Sequence, residues 1–171
     1  MRPIGSDTVI TTKQLHSILD SHMMRHISNL HVLYFPQTPQ DLLALANIIK
    51  QNKSLAKVNM YMQGGTIGGV GAVAIAEAIK QSTSLTVLSL GGTLAGSDDA
   101  VTIANAITQS QSLTDVDLNY NHIGDVGVSA IAGAIKKSTS MSLSRNSISV
   151  IGASVIAEAI KQSNSLTGLV L

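Results

Sequence analysis

Cysteine is absent from the 171-residue chain, which excludes disulfides, thiolate nucleophiles and cysteine-ligated metal centres together. Tryptophan is missing too, and the aromatic residues are Tyr34, Phe35, Tyr61 and Tyr120 alone. So few rings supply neither base-stacking platforms nor a core of large side chains, so the core must be aliphatic. Charged residues make up 12% of the chain, roughly half the usual share. Eleven Lys and Arg against ten Asp and Glu leave a formal net charge of +1. Such a balance provides no bulk field for nucleic acid or an anionic membrane. No apolar run of secretory length follows Met1, and nowhere do about 18 apolar residues follow one another. The expectation is a soluble, cytoplasmic chain with no ordinary signal peptide.

What the sequence does contain is itself, repeated. With a period near 28, six-residue stretches at 30–35, 55–60, 85–90, 113–118 and 166–171 align as L-x-x-L-x-L. Between them lie helical patterns at 41–51, 70–81, 98–109, 126–137 and 151–162, and Ile-Ala-Glu-Ala-Ile-Lys-Gln-Ser recurs at 75–82 and 156–163. In each short stretch the apolar positions four and six alternate with polar ones, the mark of a half-buried strand. In the longer stretches residues such as Ile75, Ala78 and Ile79 form one stripe, with Glu77 and Lys80 turned away. A strand of this size and one helix cannot bury their own apolar faces, so successive units must stack on one shared core.

These residues resemble the leucine-rich repeat family, in particular the ribonuclease-inhibitor-like class with its full outer helix. The match is complete at Leu113, Val116, Leu118, Asn121 and Ile123, followed by Gly124 and Gly127. The resemblance implies an α/β fold, a right-handed solenoid with a parallel sheet on its concave side and helices on its convex side. It also implies a ladder of asparagines at position nine, occupied here by Asn121 and Asn146, with Thr38, Gln63 and Thr93 as the earlier equivalents. The ladder is therefore partial.

Spacing departs from the family in three places. Leu55 to Leu85 is 30 residues, with the surplus in a glycine-rich turn at 64–71 that should bulge outward. Asn121 to Asn146 is only 25, with Met141 and Leu143 standing at positions four and six of a strand that lacks its first leucine. Leu30 to Leu55 is also 25, with Pro36 and Pro39 replacing a glycine turn. Residues 1–29 fall outside the repeat. Leu15, Ile18 and Leu19 recur there at helical spacing, which predicts an N-terminal helical cap before an array at 30–171 of five strand–helix repeats and a terminal strand.

Three patterns imitate chemistry. Gly69-Val70-Gly71-Ala72-Val73-Ala74 has the outline of a dinucleotide fingerprint, but the next strand ends Leu88-Ser89-Leu90-Gly91-Gly92 with no acid for a ribose. His22 and His26 have metal-sharing spacing on a helix and His31 is close in sequence, yet no carboxylate arrangement or H-E-x-x-H pattern supports a closed or catalytic site. The serines recur at equivalent turn positions, where a hydroxyl bonds local backbone. No catalytic residue, cofactor or metal site is expected.

One surface remains, the outward positions of the strands. Its expected partner-binding residues are Tyr34, Lys57, Asn59, Tyr61, Asp115, Asp117, Asn119, Tyr120 and Arg145, with Val32, Met62, Val87, Ser89, Ser142 and Ser144 beside them. Tyrosine and arginine are frequent interface anchors. The expectation is a non-enzymatic module that binds a protein partner. The resemblance to cysteine-free bacterial arrays implies a host-directed effector translocated into a host cytosol; the alternative is the recognition arm of a larger enzyme or sensor. The apolar strand at 166–171 is expected to permit self-association through its free edge.

Overall fold

The computed structural model describes residues 7–10, 27–32, 38–60, 66–94 and 96–171. Seven parallel strands lie side by side in chain order: β1 (Asp7–Ile10), β2 (Asn29–Val32), β3 (Lys57–Met60), β4 (Val87–Ser89), β5 (Asp115–Asp117), β6 (Ser140–Ser142) and β7 (Gly168–Val170). Among the described residues, five helices cross between them: α1 (Pro39–Gln51), α2 (Gly68–Gln81), α3 (Ser97–Gln109), α4 (Gly124–Lys137) and α5 (Val150–Lys161). Each helix packs on its successor. This is the expected α/β solenoid, with strands shorter than L-x-x-L-x-L suggests, because position one lies before the paired segment.

The strand register corrects the frame of the first repeat. Leu30 pairs with Val58 and Val32 with Met60, so Leu30 holds position four and Val32 position six. Position one is therefore Ile27, which is buried, and Ile27 to Leu55 is a regular 28 residues. Val32, expected to face outward, is 1% exposed. The 25-residue first repeat was an artefact of starting one leucine late. Ile27, Leu30 and Leu33 stand three apart in the sequence, so Ile27 with Leu30 fits positions one and four as well as Leu30 with Leu33 does.

The segment assigned to a helical cap contains a strand. β1 pairs in parallel with β2, Thr8 opposite Leu30 and Ile10 opposite Val32, so the sheet begins there. The helical pattern at Leu15, Ile18 and Leu19, and the pair His22 and His26, lie outside the described residues, as do Gly64 and Gly65 of the glycine-rich turn, whose last four residues open α2.

The core is a set of columns. Val58, Leu88, Val116 and Met141 stack at position four, with Met60, Leu90, Leu118 and Leu143 at position six; all are buried. Leu45, Ile75, Ile103, Ile131 and Ile156 face them from the helices. Close approach demands small residues at the helix starts. A Cβ at Gly71 would stand 2.5 Å from Leu42 Cδ1, and one at Gly127 would stand 2.5 Å from Ile123 Cγ2.

The recurring serines build the helix-to-strand turns, as expected. Ser82 Oγ accepts from the amides of Ser84 and Leu85, and Ser110 and Ser163 repeat the pattern. The second serine of each turn then donates to a carbonyl of the preceding repeat: Ser84 to Leu55, Ser112 to Ser82, Ser165 to Ser138. Threonines beside them donate backward too, Thr86 to Ala56, Thr114 to Thr86 and Thr167 to Thr139. The short fifth turn has lost three residues at this point. Ser138 both ends α4, through its amide to the Ala134 carbonyl, and holds position one of the next strand, fully buried.

Candidate functional site

Strand register sorts the concave face into rows. Position three carries Asn29, Lys57, Val87, Asp115, Ser140 and Gly168, and position five carries Val9, His31, Asn59, Ser89, Asp117, Ser142 and Val170. Of the expected binding residues, Lys57, Asn59, Asp115, Asp117, Asn119, Tyr120 and Arg145 stand on this face or its rim. Tyr34 and Tyr61 lie outside the described residues.

Asp117 sits in a small polar network. Its Oδ2 accepts from Ser89 Oγ at 2.9 Å and its Oδ1 from the Asn119 amide at 2.9 Å. Asn119 Oδ1 then accepts from Ser142 Oγ at 2.8 Å and the Ser144 amide at 2.7 Å. Asp115 accepts from Thr114 Oγ1 at 2.6 Å. Among the described residues, ion pairs occur only between Lys80 and Glu77 and between Lys161 and Glu158, so neither concave aspartate has a cation partner there.

The rim is held from below by asparagine. Asn121 Oδ1 accepts from the Leu94 amide at 2.8 Å, and its Nδ2 donates to the carbonyls of Leu90 and Leu118, each at 2.9 Å. Asn146 repeats the arrangement one turn on, accepting from the Asn121 amide at 3.0 Å and donating to Leu118 at 2.8 Å and Leu143 at 2.7 Å. Both side chains are buried. Directly before them, at position eight, Tyr120 and Arg145 both adopt φ 58°, and the equivalent residue one turn earlier is Gly92 at φ 66°. That left-handed backbone is unstrained for glycine and costs about 1 kcal/mol for a residue with a Cβ. Both side chains are exposed, and the Arg145 guanidinium carbon lies 5.5 Å from the centre of the Tyr120 ring. This is a cation–π pair on a rigid corner.

The first-frame error hid Asn29 and His31, at positions three and five of this face. His31 takes the outward place that sequence reasoning gave to Tyr34, and its Nδ1 lies 3.2 Å from Asn59 Nδ2. The 28-residue distance from Ile27 to Leu55 was the available signal. Gly91 and Gly92, read from the sequence only as the end of a strand, align with Asn119 and Tyr120 and mark a gap in a populated row.

On the convex side, Asp125 of α4 reaches across to the first turn of α5, accepting from the Ser149 hydroxyl, the Ser149 amide at 2.9 Å and the Gly152 amide at 3.1 Å. The Ser149 hydroxyl, followed by the two amides, holds the Asp125 carboxyl below its usual range. Among the described residues no three His, Asp or Glu gather to hold a metal, and no helix is long and apolar enough to cross a membrane.

A leucine-rich repeat family model matches residues 109–132. No curated protein sequence matches the chain. Among solved structures, actin-binding site 2 of leiomodin-1 is 22% identical, covers 80% of each chain and superposes with a TM-score of 0.65. A tropomodulin C-terminal domain from Caenorhabditis elegans is 13% identical over 88% of this chain and 92% of that one, with a TM-score of 0.62. At such identities the likeness is one of fold. The matched repeat and the two neighbours make this a leucine-rich-repeat solenoid.

Proposed function

We propose that the concave face between β4 and β6 is a protein-recognition surface, and that the chain acts by binding and not by catalysis. The observation that carries this is the corner at Tyr120 and Arg145. Two large, exposed side chains occupy a backbone conformation that glycine would adopt without strain. Strain kept under exposed interface-type residues fits a binding role, since it does nothing for the core. The actin-binding site of leiomodin-1, similar in fold, supports a protein as the class of ligand. A full helix in every described repeat supports the ribonuclease-inhibitor-like class. The zero cysteines suit a reducing cytosol, whether the cell's own or a host's.

The test compares the intact chain with a triple variant, Asp117→Asn, Tyr120→Gly and Arg145→Gly, by quantitative cross-linking in cell extract. Melting should be unchanged or slightly raised, and at least one cross-linked protein should fall about tenfold or more, ~1.4 kcal/mol. Identical cross-linking profiles would overturn the proposal.

Self-association through β7 is a second reading, and the burial pattern favours it. Leu171 is 63% exposed and Ile160 41%, whereas their equivalents Leu143 and Ile135 are buried. Sedimentation across a hundredfold concentration range, with Leu171→Asp as control, decides it: a monomer throughout removes this reading.

A further inference from the structure

The two faces of the Tyr120 ring have unlike surroundings. Position eight runs as a column from Gly92 on the β4 turn through Tyr120 to Arg145 on the β6 turn. Arg145 lies over the ring from the β6 side. On the β4 side of Tyr120 stand Gly91 and Gly92, which present no side chain. A Cβ built on Gly92 would find Tyr120 Cβ and its carbonyl oxygen at 3.9 Å and no ring atom within 4 Å. A Cβ built on Gly91 would lie 3.6 Å from the Asn119 carbonyl and 3.9 Å from Asp117 Oδ2. The glycine pair thus floors a slot with an aromatic wall and a carboxylate at its edge. Tyr120 is 62% exposed.

We infer that this slot receives an arginine side chain of the protein partner, a reading that rests on the concave face being a recognition surface. Three features select that chemistry. A flat slot beside a phenol ring suits a planar group that stacks, and guanidinium stacks on aromatic faces better than a compact ammonium does. Asp117 keeps lone pairs beyond those used by Ser89 and Asn119, and a carboxylate without a cation accepts a guanidinium through paired charge-assisted bonds. Arg145 on the far face completes a guanidinium–ring–guanidinium stack, with Asp117 offsetting the second positive charge.

The test uses the 15N-labelled chain and the peptide acetyl-Gly-Arg-Gly-amide, with citrulline and lysine peptides as controls. The arginine peptide should shift the amides of Gly91, Gly92, Asp117 and Tyr120 saturably, with Kd about 1–10 mM as befits one anchoring side chain. The neutral citrulline peptide should bind at least tenfold more weakly, and the lysine peptide should fall between. Gly91→Leu should abolish the shifts, since its Cβ has ordinary van der Waals room and its side chain occupies the slot. Tyr120→Gly, which removes the wall and relieves the backbone, should do the same. Absent shifts, shifts equal for citrulline, or shifts that survive both variants would overturn the inference. If the triple variant loses its cross-linked partner while arginine fails here, the recognition face stands and the slot falls. If arginine binds and no partner depends on the face, the slot stands without that partner.

Discussion

The turn after β4 and the turns after β5 and β6 solve one problem with different residues. Thr93 is fully buried and its hydroxyl donates to Leu90 of the same turn at 2.8 Å, so the bond to the neighbouring turn falls to backbone, from the Ile67 amide to the Thr93 carbonyl at 2.7 Å. Asn121 and Asn146 bridge adjacent turns with their side chains. A hydroxyl has one proton, and Thr93 spends it locally; an amide donates and accepts at once, so it ties two backbones together. The sheet spacing survives both solutions, but the binding corner stands only on the asparagine turns.

The largest test of that contrast is Asn121→Ala. It strands the buried Leu94 amide and removes one of the donors to each of the Leu90 and Leu118 carbonyls, which keep Thr93 and Asn146, so unfolding free energy in urea should drop by about 3 kcal/mol. Thr93→Val removes one bond inside one turn and should cost about 1 kcal/mol. Equal losses would show that the side-chain bridge adds nothing over the backbone one. The serine ladder comes next: Ser112→Ala removes the bond to the Ser82 carbonyl at 3.2 Å, with an expected loss of about 1 kcal/mol by the same assay.

Tyr120→Gly makes the asparagine turn resemble its threonine neighbour at position eight. Relief of the left-handed backbone, offset by glycine's greater unfolded freedom, should leave a gain of no more than about 1 kcal/mol. A clear destabilisation would show that the ring supports the fold, which would weaken the binding-corner reading. The smallest effect concerns acid. Asp125 has a lowered carboxyl pKa in the folded chain, so its contribution is complete above the unfolded value of about 3.9 and fades as pH falls below it. The melting difference between the native chain and Asp125→Ala should therefore shrink between about pH 6 and pH 3. A difference that grows on acidification would contradict the Ser149 and Gly152 bonds.

Much of this architecture was legible from the sequence, for identifiable reasons. Helices α2 and α5 carry nearly the same eight residues, and their apolar stripe leaves one way to face the sheet. The serine turns were legible because Ser-x-Ser-Leu recurs with its leucine. The frame at Ile27 was harder to read, because Ile27 with Leu30 and Leu30 with Leu33 both fit positions one and four, and apart from the 28-residue distance to Leu55 the pairing of Val32 with Met60 separates them. β1 escaped because four residues make too short an alternation to read. At the candidate site the large outward side chains were visible, while the left-handed corner and the slot were not: backbone handedness and the value of a missing side chain emerge only once neighbouring turns are stacked.

The hydroxyl ladders also carry a direction. Ser84, Thr86, Ser112, Thr114, Ser165 and Thr167 all donate to carbonyls that precede them by about one repeat, and Lys137 reaches back to Thr108 and Ser110 in the same sense. A chain leaving the ribosome therefore meets each acceptor already seated when the matching donor emerges, at a pace of about 5–20 residues per second. Growth runs like a zip fastener pulled from one end. Each new coil closes on the one before it, and no long loop has to wait open for a distant partner.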